Sequence, residues 1–203
     1  IPDRAFLNTK INSNNIKIPN TVTSIGSYAF SNTAISGSLL IPSSVTEIGE
    51  GAFKNCRSIT DLSLPSNLKR IGNSVFYACG FVGKLTIPNS VTEIGEKAFY
   101  NCTGFNGTLT LSNKLETIGE SAFYGCSGFT GSLTLPSSVT TIEQSAFLSC
   151  QGFTKLELSN TLSVIPTQAF MDCRNLSGEL VIPASVTEIG NHAFNGCKKL
   201  NAE

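Results

Sequence analysis

The sequence predicts a solenoid of mainly parallel β-structure with short helical turns, and three observations carry that prediction. A phenylalanine recurs at a nearly fixed period along the 203 residues. A short alternating apolar segment begins 14 residues before it in coil after coil, and a cysteine follows most of these phenylalanines at a constant distance. A period of roughly 20–50 residues outranks local readings, because each repeat is one unit that buries its apolar face only by stacking.

The phenylalanines are Phe6, Phe30, Phe53, Phe76, Phe99, Phe123, Phe147, Phe170 and Phe194, at intervals of 23 or 24 residues. Ala precedes eight of them and Val75 the ninth. Cys follows three residues later at Cys56, Cys79, Cys102, Cys126, Cys150, Cys173 and Cys197, which accounts for all seven cysteines; Thr9 and Thr33 stand there in the first two repeats. Residues 1–203 therefore read as one array of about nine 23/24-residue coils, with neither linker nor second domain. The array opens mid-repeat at Ile1 and ends soon after Cys197, as a fragment of a longer protein would.

Each coil reads in three pieces. The first is an apolar-x-apolar pair, usually followed by Pro, as in Leu62-Ser63-Leu64-Pro65 and Leu85-Thr86-Ile87-Pro88. Alternation with period two predicts a short strand, which Pro closes because it lacks a donor. The second is Val-Thr-Glu-Ile-Gly, as in Val45–Gly49, Val91–Gly95 and Val186–Gly190. Its β-branched residues predict another extended segment, bent because Val and Ile are three apart, and its Gly permits a turn. The third, such as Glu50-Gly51-Ala52-Phe53-Lys54-Asn55-Cys56, places Ala, Phe and Cys on one face at about 100° per residue, which predicts one helical turn. Every one-residue length change falls after that turn, often beside Gly107, Gly131 or Gly178, so that segment is expected to be the tolerant loop.

With these residues in place, the sequence resembles the BspA-like, or Treponema-type, leucine-rich repeats. Ile41-Pro42-Ser43-Ser44-Val45-Thr46-Glu47-Ile48-Gly49-Glu50-Gly51-Ala52-Phe53-Lys54-Asn55-Cys56 follows their pattern at almost every fixed position. Departures are small: Ser112 and Ser159 replace the strand Pro, Glu143 and Pro166 replace the Gly, and Pro2 sits where Gly would be in the first coil. The resemblance implies a right-handed leucine-rich-repeat solenoid. It also implies a secreted or surface protein of the kind described as adhesins in bacteria and some protozoa. It names no ligand, since repeat residues specify packing.

Composition narrows the function classes. Fourteen Lys+Arg balance fourteen Asp+Glu, and a zero net charge argues against nucleic acid or an anionic membrane held by electrostatics. Charged residues are 14%, below the roughly 25% of an ordinary domain, and 25 Ser, 20 Thr and 18 Asn take their place. No apolar run approaches the roughly 18 residues of a membrane span. His192, the single histidine, occupies a position that varies between coils, so neither a Ser-His-Asp nor a Cys-His arrangement can be assembled. The repeating Glu47, Glu93, Glu188, Glu96 and Glu120 read as solvated faces. The seven Cys read as buried free thiols used as small hydrophobes, without metal or disulfide role. No cofactor is implied, and the chain reads as a non-enzyme.

Two variable ladders remain as candidate binding residues. The residue after each Phe points about 150° from the buried face of a helical turn, and five successive coils place Tyr77, Tyr100, Tyr124, Leu148 and Met171 there, flanked by Lys54 and Asn195. Such a stripe marks an interface, or else its rings lean on the neighbouring coil and cover its core edge. The middle of the strand pair carries Thr86, Thr110 and Thr134, which are either a flat hydroxyl surface or β-formers on a solvent face. Asn101-Cys102-Thr103, Asn106-Gly107-Thr108 and Asn175-Leu176-Ser177 match the glycosylation acceptor, a weak signal in so polar a chain. The expected function is a non-catalytic module, secreted or at the cell surface, that meets an extracellular protein or glycan. The alternatives are a stiff spacer without its own ligand and an accessory module of a carbohydrate-active enzyme.

Overall fold

The computed structural model describes residues 1–201, and they form a parallel β solenoid of about eight turns. Sixteen strands follow one another in chain order: β1 (Ser24–Ile25), β2 (Ser36–Leu40), β3 (Glu47–Ile48), β4 (Ser58–Ser63), β5 (Arg70–Ile71), β6 (Gly83–Thr86), β7 (Glu93–Ile94), β8 (Phe105–Thr110), β9 (Thr117–Ile118), β10 (Gly131–Thr134), β11 (Thr141–Ile142), β12 (Phe153–Glu157), β13 (Val164–Ile165), β14 (Ser177–Glu179), β15 (Glu188–Ile189) and β16 (Lys199–Asn201). Every pairing between them is parallel and joins one coil to the next. Even-numbered strands lie at or just before the apolar-x-apolar segment, and odd-numbered strands are two-residue segments that end on the Ile of the second piece.

The bend predicted between Val and Ile lies instead just before Val, as a β-turn that starts at the Pro. The amide of Val45 donates to the Pro42 carbonyl at 3.0 Å, and Val91, Val139 and Val186 donate likewise to Pro88, Pro136 and Pro183. Val45, Val91 and Val139 are fully buried, so only two residues of the second piece are left extended. Where Ser replaces Pro the turn persists. Leu115 donates to Ser112, and the Ser112 hydroxyl also accepts from the Lys114 amide at 3.1 Å, which binds the backbone where Pro would have stiffened it.

The predicted helical turn is not there: no helix occurs among the described residues. The segment around each Phe is instead a run of tight turns. Ala29 donates to Gly26 and Ser31 to Tyr28, while the alternate amides of Tyr28, Phe30 and Asn32 donate across to Glu50, Ala52 and Lys54 of the next coil. A helix needs all these amides for its own carbonyls, and one turn alone cannot repay its nucleation. Residues two before the Phe, from Tyr28 to His192, and two after it, from Asn8 to Gly196, have φ between about 51° and 84°, which reverses the chain between turns.

The core lies between the ladders and the turns. Phe30 to Phe170 are buried and Phe6 and Phe194 are half-buried, as expected for end coils. Their rings stack at centroid distances of 5.0 to 5.8 Å. A second aromatic column, Phe81, Phe105, Phe129 and Phe153, stacks beside it and meets Phe76, Phe99 and Phe123 edge-on. Four of the glycines preceding this column, Gly80, Gly104, Gly128 and Gly152, pass so close to the previous coil that an added Cβ would lie 1.8 to 2.6 Å from a carbonyl oxygen.

The even-numbered ladder is not continuous. It pairs as β2-β4, β6-β8, β10-β12 and β14-β16, with no pairing from β4 to β6, β8 to β10 or β12 to β14. The first strand of each pair contains a glycine in the left-handed region, Gly37, Gly83, Gly131 or Gly178. Sequence follows the same two-coil rhythm: Val45, Val91, Val139 and Val186 alternate with Leu68, Leu115 and Leu162. Register shifts fall at Gly37/Ser38, Gly131/Ser132 and between Gly83 and Leu85, all at strand entry. In the odd-numbered ladder, Gly49, Gly95, Gly119, Glu143 and Gly190 each donate to the Ile carbonyl of the previous coil. Pro166 has no amide to give Ile142, and the ladder breaks between β11 and β13, as it also does between β3 and β5.

Candidate binding surfaces

The cysteines are all free and buried, and each finds a partner. Cys56, Cys79, Cys102, Cys126, Cys150, Cys173 and Cys197 donate to the carbonyls of Phe30, Phe53, Phe76, Phe99, Phe123, Phe147 and Phe170 of the preceding coil at 3.0 to 3.2 Å. They are thus more than small hydrophobes, since each ties two coils together. Burial pushes every one of these thiols up, Cys102 to about 12. A thiol held neutral in this way is a poor nucleophile and metal ligand, and no group of metal-ligating side chains occurs among the described residues. His192 is exposed at the left-handed position of its turn.

The stripe after the phenylalanines exists, with different geometry from that of a helix. Tyr77, Tyr100 and Tyr124 are half-buried, as are Leu148 and Met171. Tyr77 and Tyr100 stack at 4.7 Å and 5°, Tyr100 and Tyr124 at 4.6 Å and 9°. The Lys54 ammonium sits 4.7 Å from the Tyr77 ring centre and caps the column. Ring faces are therefore largely occupied within the molecule, and the column offers rims and hydroxyls. Burial and the neighbouring phenols push the Tyr100 hydroxyl up, so it stays a neutral donor.

The strand face is also displayed. Thr86, Thr110 and Thr134 are exposed, within a column that runs from Leu40 through Ser63 to Glu157 and Val181. Thr86 and Thr110 are direct register partners. Thr110 and Thr134 face each other across an unpaired junction, and Thr134 donates to Glu157 at 2.9 Å. The three threonines thus occupy one position on successive coils, with ladder pairing between the first two only. The three acceptor asparagines, Asn101, Asn106 and Asn175, are exposed, while Cys102 is buried.

A third surface was not read from the sequence. Asn8, Asn32 and Asn55, two residues after their phenylalanines, form a column in which Asn32 Nδ2 donates to Asn8 Oδ1 and Asn55 Nδ2 to Asn32 Oδ1, each at 2.8 Å. They line a furrow of about 610 Å³ with Lys10, Asn12 and Arg57. The signal that could have found it was Asn recurring at one repeat position in an alignment of the coils.

Comparison with known proteins agrees with this geometry. The model of the BspA type leucine rich repeat region matches residues 1–106 and 71–201 in six copies. No curated protein matches the sequence. Among solved structures, the T. pallidum leucine-rich repeat protein is similar at 25% identity and a TM-score of 0.60, over 89% of this chain and 72% of that one. A leucine-rich cell surface protein from Faecalibacterium prausnitzii shares 24% identity with a TM-score of 0.50, over 99% and 75%. The pneumococcal vaccine antigen PcpA shares 20% identity with a TM-score of 0.59, over 96% of this chain and 56% of its own.

Proposed function

The chain belongs to the BspA-type leucine-rich repeat family, and from that premise we propose that it is a non-catalytic binding module of a secreted or cell-surface protein, adhesin-like in its recognition of an extracellular protein or glycan. One observation carries the reading. The side chains that recur in every coil are consumed by the core, whereas the exposed columns change from coil to coil. Selectivity in such an array resides in the variable columns, here the rims and hydroxyls of Tyr77, Tyr100 and Tyr124, extended by Leu148 and Met171, and the strand-face Thr86, Thr110 and Thr134. Tyrosine brings large contact area at low entropic cost. The description of the Faecalibacterium prausnitzii relative as a cell surface protein supports the location. No helix of the described residues is long and apolar enough to cross a membrane.

The test is binding of the folded array to panels of extracellular proteins and glycans, with Tyr77, Tyr100 and Tyr124 replaced together by Ser and, separately, Thr86, Thr110 and Thr134 by Ala. Loss of binding in either variant supports this assignment. Absence of any wild-type binding favours a spacer built on the same stacked core.

A further inference from the structure

We propose that the furrow beside the asparagine column is a binding site for an acidic polysaccharide, recognised through its carboxylate groups and hydroxyls. The inference rests on the reading of the chain as a binding module and goes beyond it in site and ligand class, because the furrow uses neither Tyr77, Tyr100 and Tyr124 nor Thr86, Thr110 and Thr134.

Three observations point to this ligand. The first is charge. Arg57 is exposed and makes no ion pair or side-chain hydrogen bond among the described residues. It lines both the furrow of about 610 Å³ and a second depression of about 370 Å³ that continues along Asn101 and Thr103. Lys10 adds a second cation, and neither stretch is lined by an aspartate or glutamate. On a chain of zero net charge this is a local field, and a free guanidinium grips a carboxylate through two parallel hydrogen bonds.

The second observation is the chemistry of the walls. Asn8, Asn12, Asn32, Asn55 and Asn101 present amides, and Ser58 and Thr103 present hydroxyl groups. No aromatic or large aliphatic side chain lines either stretch, so the furrow lacks the anchoring pocket on which protein partners depend. A ligand that is itself covered in hydroxyls can satisfy such walls, and an acidic peptide leaves most of them unmet.

The third is preorganisation. The left-handed backbone at Asn8, Asn32 and Asn55 and the two amide-to-amide bonds fix the column before any ligand arrives. The column stops at Ala78, so Asn55 Oδ1 has no donor from the next coil, and Asn55 lines the same furrow as Arg57. Fixed groups lose little entropy on binding. Asn101 and Thr103 extend the polar lining to the fifth coil, and four coil spacings of about 4.8 Å give the length of an extended oligosaccharide.

The experiment measures binding of the array by calorimetry to uronate oligosaccharides, to neutral dextran of matched length and to polyglutamate, for wild type, Arg57→Gln, Arg57→Lys and Lys10→Gln. Wild type is expected to bind the uronate oligosaccharide and to weaken as salt rises, since the groups are exposed. Arg57→Gln, on an exposed side chain that leaves the fold intact, is expected to lose at least tenfold, and Arg57→Lys to recover part of that loss. The triple Tyr→Ser variant is expected to bind uronate unchanged, which separates this site from the surfaces proposed above. Equal binding by Arg57→Gln, absence of uronate binding by wild type, or equal binding of dextran overturns the proposal. Tighter binding of polyglutamate than of uronate also overturns it and makes the furrow a peptide site.

Discussion

Cys102 donates its thiol hydrogen to the carbonyl oxygen of Phe76, one coil back, at 3.0 Å. The same oxygen accepts the Cys79 amide of its own coil at 3.4 Å, so the thiol fills the second lone pair of a carbonyl sealed inside the core. A cysteine at this position therefore has a hydrogen-bonding reason to recur. Cys102→Ala is expected to cost about 1–3 kcal/mol, the range for leaving a buried acceptor short of a partner, with Cys102→Ser retaining most of the wild-type stability. Urea titration of both variants decides, and equal losses would contradict the donor role.

The raised thiols predict alkaline sensitivity. A thiol whose folded value lies above its unfolded value of 9.0 contributes stability that is complete below pH 9 and is lost as pH rises towards the folded value, about 12 for Cys102. Each such thiol gives a slope of about 1.4 kcal/mol per pH unit in that window. Denaturation midpoints at pH 8, 10 and 11 are expected to fall steeply for wild type, and to flatten when Cys79, Cys102, Cys126, Cys150 and Cys173 are replaced by Ser. A flat wild-type profile would show the thiols to be solvated.

Two glycines make a contrasting pair. A Cβ on Gly128 would lie 1.8 Å from the Phe105 carbonyl oxygen, whereas one on Gly72 would meet nothing closer than 3.5 Å. Neither has a positive φ, so conformational strain does not separate them. Gly128→Ala is expected to destabilise by about 1–3 kcal/mol or more as the coils are forced apart, and Gly72→Ala to stay within about 0.5 kcal/mol. Thermal melts of the two variants read the difference.

The two-coil rhythm predicts uneven amide protection. Ile41, Ile87 and Leu135 donate to Ser63, Thr110 and Glu157 of the paired strand, while the amides of Leu64, Leu111 and Leu158 face unpaired junctions and have no backbone acceptor among the described residues. Hydrogen exchange is expected to be faster at the second set than at the first. Uniform protection along the ladder would contradict the broken pairing.

Much of this architecture was legible because stacking leaves a period in the sequence. Phe30 to Phe170 had to be interior once a 23- or 24-residue interval and a constant 14-residue offset placed them in one column. The turns were not legible. Ala, Phe and Cys at helical spacing suit a helical turn, but left-handed residues as ordinary as Ser74, Lys97, Ser121 and Gln168 reverse the chain, and nothing in their identity announces a positive φ. Phe81 to Phe153 escaped because their spacing after the cysteine shifts by one residue, two from Cys79 but three from Cys102. At the surface, the Tyr77–Tyr100–Tyr124 stripe was found by its register, but the stacking that turns its rims outward depends on the turn geometry.

The claim that recurring columns hold the fold while variable columns bind is tested most directly by measuring stability and binding together on two variants. Phe99→Ala is expected to lose about 3–5 kcal/mol of stability, as a large-to-small core change does, and to bind normally in the fraction that remains folded. The triple Ser variant of Tyr77, Tyr100 and Tyr124 is expected to lose binding to whichever extracellular protein the wild type retains, with a smaller loss of stability from the unstacked rings. A Phe99→Ala shift below about 1 kcal/mol, or a folded triple variant that binds that protein as tightly as wild type, would contradict the division between the two sets of columns.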